Sequence, residues 1–336
     1  MTANSQRYSV LLENVFSLID KKVDAKSREH IHTFGRHFFK NISLDDLENR
    51  NDSDLYGATL SLWNTFSNFD ASSPHVRVFN PEIEKHGWKS SHTIVELILR
   101  DVPFLVDSVR MALNRLGITA HMLIHSPMNI ERDDNNKLVS FLDANQTSNL
   151  RQTVVFIEVD RQTSKADLEQ LTSELHSTID EVSLAVADWQ PMLDKLKAIT
   201  GQVSKAKKLP VDKSHKDTVL RFLDWLSDHN FTLMGYRYYS VSAIEGDHQW
   251  TPDNDSSLGL MKNSISDKPR LLSNLPATAR EEALSQRLLL LTKTNSRSRV
   301  HRPAYMDYVG IKEFNSNGQV TGEHRFLGLY SASFYN

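Results

Sequence analysis

The sequence predicts an α+β protein with an N-terminal helical layer, a ferredoxin-like β-α-β-β-β-α unit and a second, mainly antiparallel α+β region. Apolar residues recur at helical spacing through residues 8–68. Strand and helix patterns alternate over residues 88–187, and short strands separated by polar turns fill the second half. Periods of 3.6 and 2 residues are the primary signals of helix and strand. A length of 336 residues fits two or three domains, at ~100–200 residues each.

The composition is that of an ordinary globular protein and excludes several classes of site. Hydrophobic residues make up 39% of the chain and charged residues 24%, which is too apolar for a disordered chain. The formal net charge is −3, from 39 basic and 42 acidic residues. This balance argues against a nucleic-acid partner, because phosphate binding needs a cationic excess. The absence of cysteine excludes disulfides, thiolate nucleophiles and cysteine-ligated metals.

Targeting and nucleotide-binding motifs are absent as well. The longest apolar runs, such as residues 288–291, fall far short of the ~20 residues that span a bilayer, and Glu13 interrupts any signal-peptide core. We therefore expect a cytoplasmic protein without a membrane partner. The 12 glycines form neither G-x-G-x-x-G nor a phosphate loop, and H-E-x-x-H and G-x-S-x-G do not occur. These absences indicate that, if the chain belongs to an enzyme, the chemistry lies elsewhere, and we assign no cofactor, metal or catalytic residue to this chain.

Residues 1–73 are predicted to form a helical segment without chemistry of its own. Apolar residues such as Val15, Leu18 and Ile19 repeat at helical steps. Three histidines lie in the segment, but their spacing does not stack them on one helical face, so they do not predict a metal site: His30, His32 and His37.

Residues 74–200 are predicted to contain the ferredoxin-like unit. Asp101-Val102-Pro103 is expected to open its first helix, because proline is favoured in a first helical turn, and Gly117 to follow the helix in a left-handed conformation. The order of elements predicts two right-handed parallel crossovers and one extra hairpin strand. The predicted strands cover residues 74–80, 91–99, 118–131, 137–142 and 153–159, and the second helix buries Leu168, Leu171, Leu175, Ile179 and Val182.

Residues 201–214 are polar and basic, and we predict a linker there, after a helix over residues 188–200. Its lysines lack interleaved aromatic residues, which favours a solvated linker over a nucleic-acid site. Residues 215–336 are then predicted to form the second α+β region, with a long loop over 246–280 that holds short helical pieces. Its other predicted elements are a helix over 215–229, strands over 231–241, 287–294, 304–314 and 323–331, and a hairpin turn at Asn315-Ser316-Asn317-Gly318.

Two segments carry a family resemblance. Residues 86–93 read HGWKSSHT and lead into DVPFLVDSV at 101–109. Residues 291–298 read LTKTNSRS, followed by VHRPAYMDYVG at 300–310 and GEHRFLGLY at 322–330. These motifs resemble the N-terminal region of the large bacterial NAD-specific glutamate dehydrogenases, and the resemblance runs from about residue 8 to the end of the chain.

The resemblance implies that this chain is one region of a much longer polypeptide, whose catalytic domain is a different region. It makes residues 74–200 an ACT-like domain and residues 215–336 a PAS-like domain truncated at its C-terminal end. The parent enzyme oxidises L-glutamate to 2-oxoglutarate and ammonia with NAD, which binds in a catalytic domain further along the polypeptide. This chain would be a non-catalytic regulatory or oligomerisation region, whose partners are the downstream catalytic region, further copies of the parent and an amino-acid effector.

The turn between the first strand and the first helix of the ACT-like domain is one candidate site, because ACT-like domains often bind amino acids there. The unpaired N–H groups of a helix start suit a carboxylate, and Asp101 or Asp107 could hold an amine. However, Phe104 occupies a position where a glycine commonly lets a ligand approach. An effector site and a packed or interface turn therefore both stay open, the latter with Asp101 as cap and Pro103 as first helical residue. The candidate turn comprises Asp101, Val102, Pro103, Phe104, Leu105 and Asp107.

Histidines and arginines give two further candidates. His121 and His125 lie four apart on a strand and are expected to share a face, half-exposed rather than metal-binding. A basic group in the last third is predicted to bind an anion or to contact another domain: Arg297, Arg299, His301, Arg302, His324 and Arg325.

Two other functions remain open on the sequence. The chain could be a free-standing ACT- and PAS-type amino-acid sensor or interaction module. It could also be a complete small enzyme with a cleft near His301 and His324.

Overall fold

The computed structural model describes residues 3–40, 42, 47, 50–70, 73–142, 150–263 and 268–331. The chain forms two compact units, residues 1–179 and residues 180–336. No helix in the described ranges is both long and apolar enough to cross a membrane. Residues 332–336, where the PAS-like region was expected to be truncated, lie outside the description.

The first unit begins with the predicted helical layer, which is confirmed. Asp24 caps the second helix by accepting hydrogen bonds from the backbone N–H groups of Lys26 and Ser27, and Asn51 caps the third by accepting from Ser53. The helices are α1 (Ala3–Lys22), α2 (Ala25–Phe39) and α3 (Asp52–Ser67).

A five-stranded antiparallel sheet follows, in the spatial order β1-β2-β5-β3-β4. Its strands are β1 (His75–Phe79), β2 (Thr93–Arg100), β3 (Ala120–Arg132), β4 (Leu138–Phe141) and β5 (Arg151–Val159). The helices between and after them are α4 (Ile83–His86), α5 (Leu105–Arg115) and α6 (Lys165–Ala187).

The sheet contains one of the two predicted crossovers. β2 and β3 are parallel to each other, joined by α5, and β5 inserts between them antiparallel to both, which is the split β-α-β arrangement. The prediction of a second parallel crossover after β5 is wrong. β1 pairs antiparallel with the free edge of β2, so the position that a strand following α6 would occupy is already filled.

Both faces of this sheet are buried. One face packs against the helical layer through side chains such as Ile94, Ile124 and Phe156. The other packs against α5 and α6 through side chains such as Val155 and Leu171. The extended apolar character of β2 and β5 follows from this double coverage.

The second unit is built on a six-stranded antiparallel sheet, in the order β8-β7-β6-β11-β10-β9. The helices α7 (Trp189–Lys205) and α8 (Lys213–Trp225) share one apolar core with one face of the sheet. A short helix, α9 (Ala277–Leu284), precedes the last three strands. The strands are β6 (Phe231–Ile244), β7 (Asp247–Gly259), β8 (Arg270–Leu271), β9 (Leu289–Arg297), β10 (Tyr305–Phe314) and β11 (Val320–Tyr330).

The structure corrects the sequence prediction for residues 246–280. Residues 247–259 form β7, which pairs with β6 across a tight turn in which Glu245 and Gly246 both have positive φ. Polar residues are tolerated in β7 because only the two-residue β8 lies beyond it. Short helical pieces do occur later in the segment, and the hairpin turn at Asn315–Gly318 is confirmed by the hydrogen bond from the Gly318 N–H to the Asn315 carbonyl. Residues 201–205 of the predicted linker continue helix α7.

Candidate ligand-binding site

The candidate turn at residues 101–107 differs from the predicted capped helix start. α5 begins at Leu105, and its N-cap residue is Phe104, which has a φ of 68° and makes no side-chain capping bond. The expectation that Asp101 caps this helix and Pro103 begins it is therefore wrong. The Asp101 carboxylate instead accepts from Arg151, with Nε 2.8 Å away, and lies 3.5 Å from Nε2 of His125.

The helix begins after Phe104, and not at Pro103, because Phe104 has a left-handed conformation that cannot be part of a right-handed helix. Its carbonyl accepts hydrogen bonds from the Ser108 N–H at 3.0 Å and from Ser108 Oγ at 2.7 Å. Val102 and Phe104 are half-buried and Leu105 is buried, whereas Pro103 and Asp107 are exposed. A phenyl side chain thus stands at the position where glycine would admit a ligand.

The two histidines of β3 do not share a face, because His121 is the extra residue of a β-bulge between Ala120 and Met122. His121 stacks against His92, with ring centres 4.5 Å apart, on the side of the sheet that faces the helical layer. His125 pairs in register with Val155 on the opposite side, near Asp101. Both side chains are partly exposed, as expected.

The six basic residues of the last third do not form one exposed surface. His324 and Arg325 are neighbours on β11 and therefore point to opposite faces of the sheet. His324 lies between Tyr236 and Glu313, and the Arg325 guanidinium stacks on Trp250, 4.0 Å from the ring centre.

The other four basic residues lie at the end of β9 or just after it. Arg299 pairs with Glu181 at 3.1 Å, and Arg302 donates to the Tyr330 carbonyl at 2.6 Å. Arg297 lies over the ring of Tyr305, and His301 has a φ of 69°. Most of the six basic residues that were predicted to bind an anion or another domain thus already contact other residues of the second unit.

The structure reveals a cavity in the first unit that the sequence reasoning did not identify. It has a volume of about 470 Å³ and lies between the helical layer and the sheet. Its apolar wall is built of side chains that are each less than a tenth exposed: Phe38, Phe39, Leu55, Ala58, Trp88, Met122, Ile124 and Phe156. Its polar lining comprises Arg50, Asn51, Asp54, Lys89, Ser90, Ser91, His92, His121 and Glu158.

A buried carboxylate lies at the centre of the polar lining. Glu158 of β5 is 4% exposed and pairs with the Arg50 guanidinium and with Nδ1 of His92, the latter at 3.3 Å. A buried carboxylate is costly unless it is paired, and the Arg50 guanidinium supplies a partner of opposite charge.

A second acidic residue, Asp160, holds the side chain of His121 in place beside the cavity. The pKa of Asp160 is lowered by hydrogen bonds from the Thr119 backbone N–H and from the imidazole of His121. His121 Nε2 lies 2.7 Å from Asp160, which orients the ring against His92.

Trp88 supplies the one indole group of the cavity wall. The short helix α4 ends at Gly87, whose φ of 77° turns the chain toward Trp88. The indole is 3% exposed, and its Nε1 has no hydrogen-bond partner among the residues that the structure describes. A buried N–H without a partner is uncommon, because it loses hydration without compensation.

Metal ions and dinucleotides each need a particular arrangement of side chains or backbone. Within those ranges, no group of three or more histidine, aspartate or glutamate side chains could hold a metal ion. In dinucleotide folds, a glycine-rich turn joins a strand to a helix so that the pyrophosphate can approach the backbone. The β2–α5 and β5–α6 turns contain no glycine, and both strands that flank β2 are antiparallel to it. The first unit does not fit a dinucleotide in this manner.

Sequence reasoning missed the cavity because its residues come from separate stretches that meet only in the folded unit. A signal was present in residues 88–92, where one indole and four polar side chains follow each other. Arg50 and Glu158 carry no local signal, since their pairing depends on the packing of the helical layer against β5.

The fold and the cavity together define the class: an ACT-type α+β protein with a small-molecule-sized cavity. Residues 34–175, which span the cavity and most of the sheet, match the family model "Glutamate dehydrogenase, ACT1 domain".

Similarity extends well beyond that domain. The chain is 34% identical over 329 residues to the NAD-specific glutamate dehydrogenase of Halomonas elongata, covering 97% of this chain and 20% of that protein. It is 38% identical over 316 residues to the Pseudomonas aeruginosa enzyme of the same name, covering 93% of this chain and 19% of the relative. A Mycobacterium tuberculosis relative with this name is 24% identical over 234 residues. The predicted resemblance to NAD-specific glutamate dehydrogenases is confirmed, and the chain spans about a fifth of the length of these relatives.

Proposed function

We propose that this chain is a regulatory region of an NAD-specific glutamate dehydrogenase and does not itself oxidise glutamate. The observation that carries the proposal is the match of residues 34–175 to an ACT1 domain within relatives about five times longer. On this proposal, the parent enzyme converts L-glutamate and NAD to 2-oxoglutarate, ammonia and NADH in the cytoplasm. Its NAD-binding catalytic region is another part of the same polypeptide.

Two domains and one contact surface would make up this regulatory region. Residues 74–200 would be the ACT-like domain and residues 215–336 the PAS-like domain. The exposed Pro103 and Asp107 of the candidate turn would serve as a contact surface, either with the catalytic region or with a further copy of the parent.

A chimera tests the proposal directly. The region of the Halomonas elongata enzyme that matches this chain is replaced by this chain, and NADH formation is followed at varied glutamate concentration. We expect activity in the chimera, a changed KM or effector response when the region is deleted, and no turnover by this chain alone. Turnover by the isolated chain would contradict the proposal, and so would a deletion that leaves all kinetic parameters and the oligomeric state unchanged.

A further inference from the structure

The cavity of the first unit has the properties of a ligand site rather than of a packing defect. Its volume of about 470 Å³ lies in the usual range for small-molecule pockets. Empty cavities in protein interiors are lined by apolar side chains alone. This cavity instead combines four aromatic side chains with several polar groups that point toward it. It lies on the face of the sheet opposite to α5 and the turn at residues 101–107.

The hydrogen-bonding groups of the cavity show which chemistry it can accept. Its acceptors are only partly matched within the unit: Glu158 forms ion pairs with Arg50 and His92, although its Oε2 makes no hydrogen bond to a described residue, and Asp54 accepts from the Lys89 backbone N–H at 3.3 Å. The Asn51 side chain accepts from the Ser53 N–H. The indole N–H of Trp88 has no acceptor in the described part of the chain. A ligand that brings an acceptor atom can therefore satisfy this buried indole N–H.

The charged groups of the lining limit where a carboxylate can lie. The cations Arg50 and Lys89 are matched in number by Asp54 and Glu158, and Arg50 pairs with Glu158, so Lys89 and the rings of His92 and His121 are the groups that a carboxylate could meet. A carboxylate suits such a group because charge-assisted hydrogen bonds are stronger than neutral ones. The apolar wall, with Phe38, Phe156 and Ile124, suits a hydrocarbon or aromatic body.

We propose that this cavity binds a small carboxylate with an apolar body, such as an aromatic or branched 2-amino acid or 2-oxo acid. The carboxylate accepts from the Trp88 indole N–H and lies beside His92, and the body packs against the aromatic wall. That the ligand regulates glutamate oxidation rests on the function proposed above, whereas its binding to this chain does not.

Calorimetric titration of the whole 336-residue chain tests the binding. The probes are L-phenylalanine, phenylpyruvate, phenethylamine and acetate. We expect a Kd below about 1 mM for at least one of the first two, and at least tenfold weaker binding of the amine, which lacks the carboxylate, and of acetate, which lacks the body. Tighter binding of L-phenylalanine would identify an amino acid, and tighter binding of phenylpyruvate an oxo acid. No binding of either, or equal binding of phenethylamine, would overturn the proposal.

Two variants locate the site. Trp88→Phe keeps an aromatic ring and removes the N–H. We expect about tenfold weaker binding, because one hydrogen bond to the charged carboxylate is lost. Ala58→Leu fills the cavity from α3 and should abolish binding. Trp189→Phe, at an exposed tryptophan of the second unit, is the matched control and should bind normally. If Ala58→Leu does not fold, Trp88→Phe alone decides, and unchanged affinity in that variant would refute this placement.

The two proposals fail in different ways. If the chain binds the carboxylate but the chimera shows no kinetic response to it, the regulatory function fails and the site stands. If deletion of the region changes the kinetics while no carboxylate binds, the regulatory function stands and the site fails.

Discussion

Gly57 of α3 lies directly against Trp88: a Cβ atom at residue 57 would overlap Cβ and Cγ of the indole side chain. The helical layer can approach the sheet at this point only because residue 57 has no side chain. Trp88 forms part of the cavity wall, so this close approach also fixes the position of the indole. A glycine within a helix normally weakens it, and here the close contact explains its presence.

Gly57→Ala tests this relationship. Helix propensity alone would make alanine stabilising by about 1 kcal/mol, but the overlap with Trp88 should reverse the sign and lower the free energy of unfolding by about 1–3 kcal/mol. Urea denaturation measures the change. Gly201→Ala is the matched control, because Gly201 lies in α7 with open space around its Cα, and it should be stabilised. A stabilised Gly57→Ala variant would show that Trp88 can move aside without cost.

Glu96 predicts a specific pH dependence of stability. It is fully buried on β2, where Arg77 Nη1 lies 3.2 Å and Ser61 Oγ 3.0 Å from its carboxylate. Burial raises the pKa of Glu96, and the attraction of Arg77 only partly offsets this. A carboxyl group whose pKa is higher in the folded state binds more protons there, so its contribution to stability falls as the pH rises from the unfolded pKa through the folded one.

Glu96→Gln should remove this dependence. The free energy of unfolding of the wild type minus that of the variant is therefore expected to fall as the pH rises from about 4 to 7. Urea denaturation at a series of pH values gives this difference directly. A difference that grows with pH would mean that the Arg77 pair outweighs the cost of burial.

Tyr236→Phe tests a buried polar network of the second unit. The hydroxyl of Tyr236 lies 2.8 Å from Nδ1 of His324, whose Nε2 lies 3.1 Å from Glu313. Removal of the hydroxyl leaves the buried His324 nitrogen without its partner, which should cost about 1–3 kcal/mol of unfolding free energy. Tyr305→Phe, at an exposed position, should change stability by less than about 0.5 kcal/mol. Equal effects of the two variants in thermal denaturation would contradict a structural role for the network.

Periodicity predicted most elements of this fold, because each helix or strand buries a face that its own sequence repeats. The buried residues Leu171, Leu175 and Ile179 of α6 follow that rule. It failed for β7, whose polar sequence reads as a loop and whose strand conformation depends on pairing with β6. It also failed for the edge of the first sheet, where β1 takes a place that no local pattern specifies.

The candidate sites were less predictable, since each depends on residues that are distant in sequence. The Arg50–Glu158 pair joins the helical layer to β5, and the bulge beside His121 changes which face that histidine occupies. The capping role of Asp101 was inferred from sequence alone, and the positive φ of Phe104 removes it. A left-handed phenylalanine is rare, so propensity cannot anticipate it.

Asp101 and Arg151 allow a final prediction that separates a helix cap from an ion pair. The carboxylate of Asp101 lies 2.8 Å from Nε of Arg151, whose side chain is more than half exposed. Such pairs contribute about 0.2–1 kcal/mol, so Asp101→Ala should lower the free energy of unfolding by no more than that. In the Arg151→Ala background, the same substitution should have almost no effect, because its main partner is already gone. A double-mutant cycle by urea denaturation measures this coupling. A helix cap would behave differently, since loss of a cap costs about 1 kcal/mol whichever residue stands at position 151. A cost that persists undiminished in the Arg151→Ala background would thus restore the capping interpretation and count against the geometry of this turn.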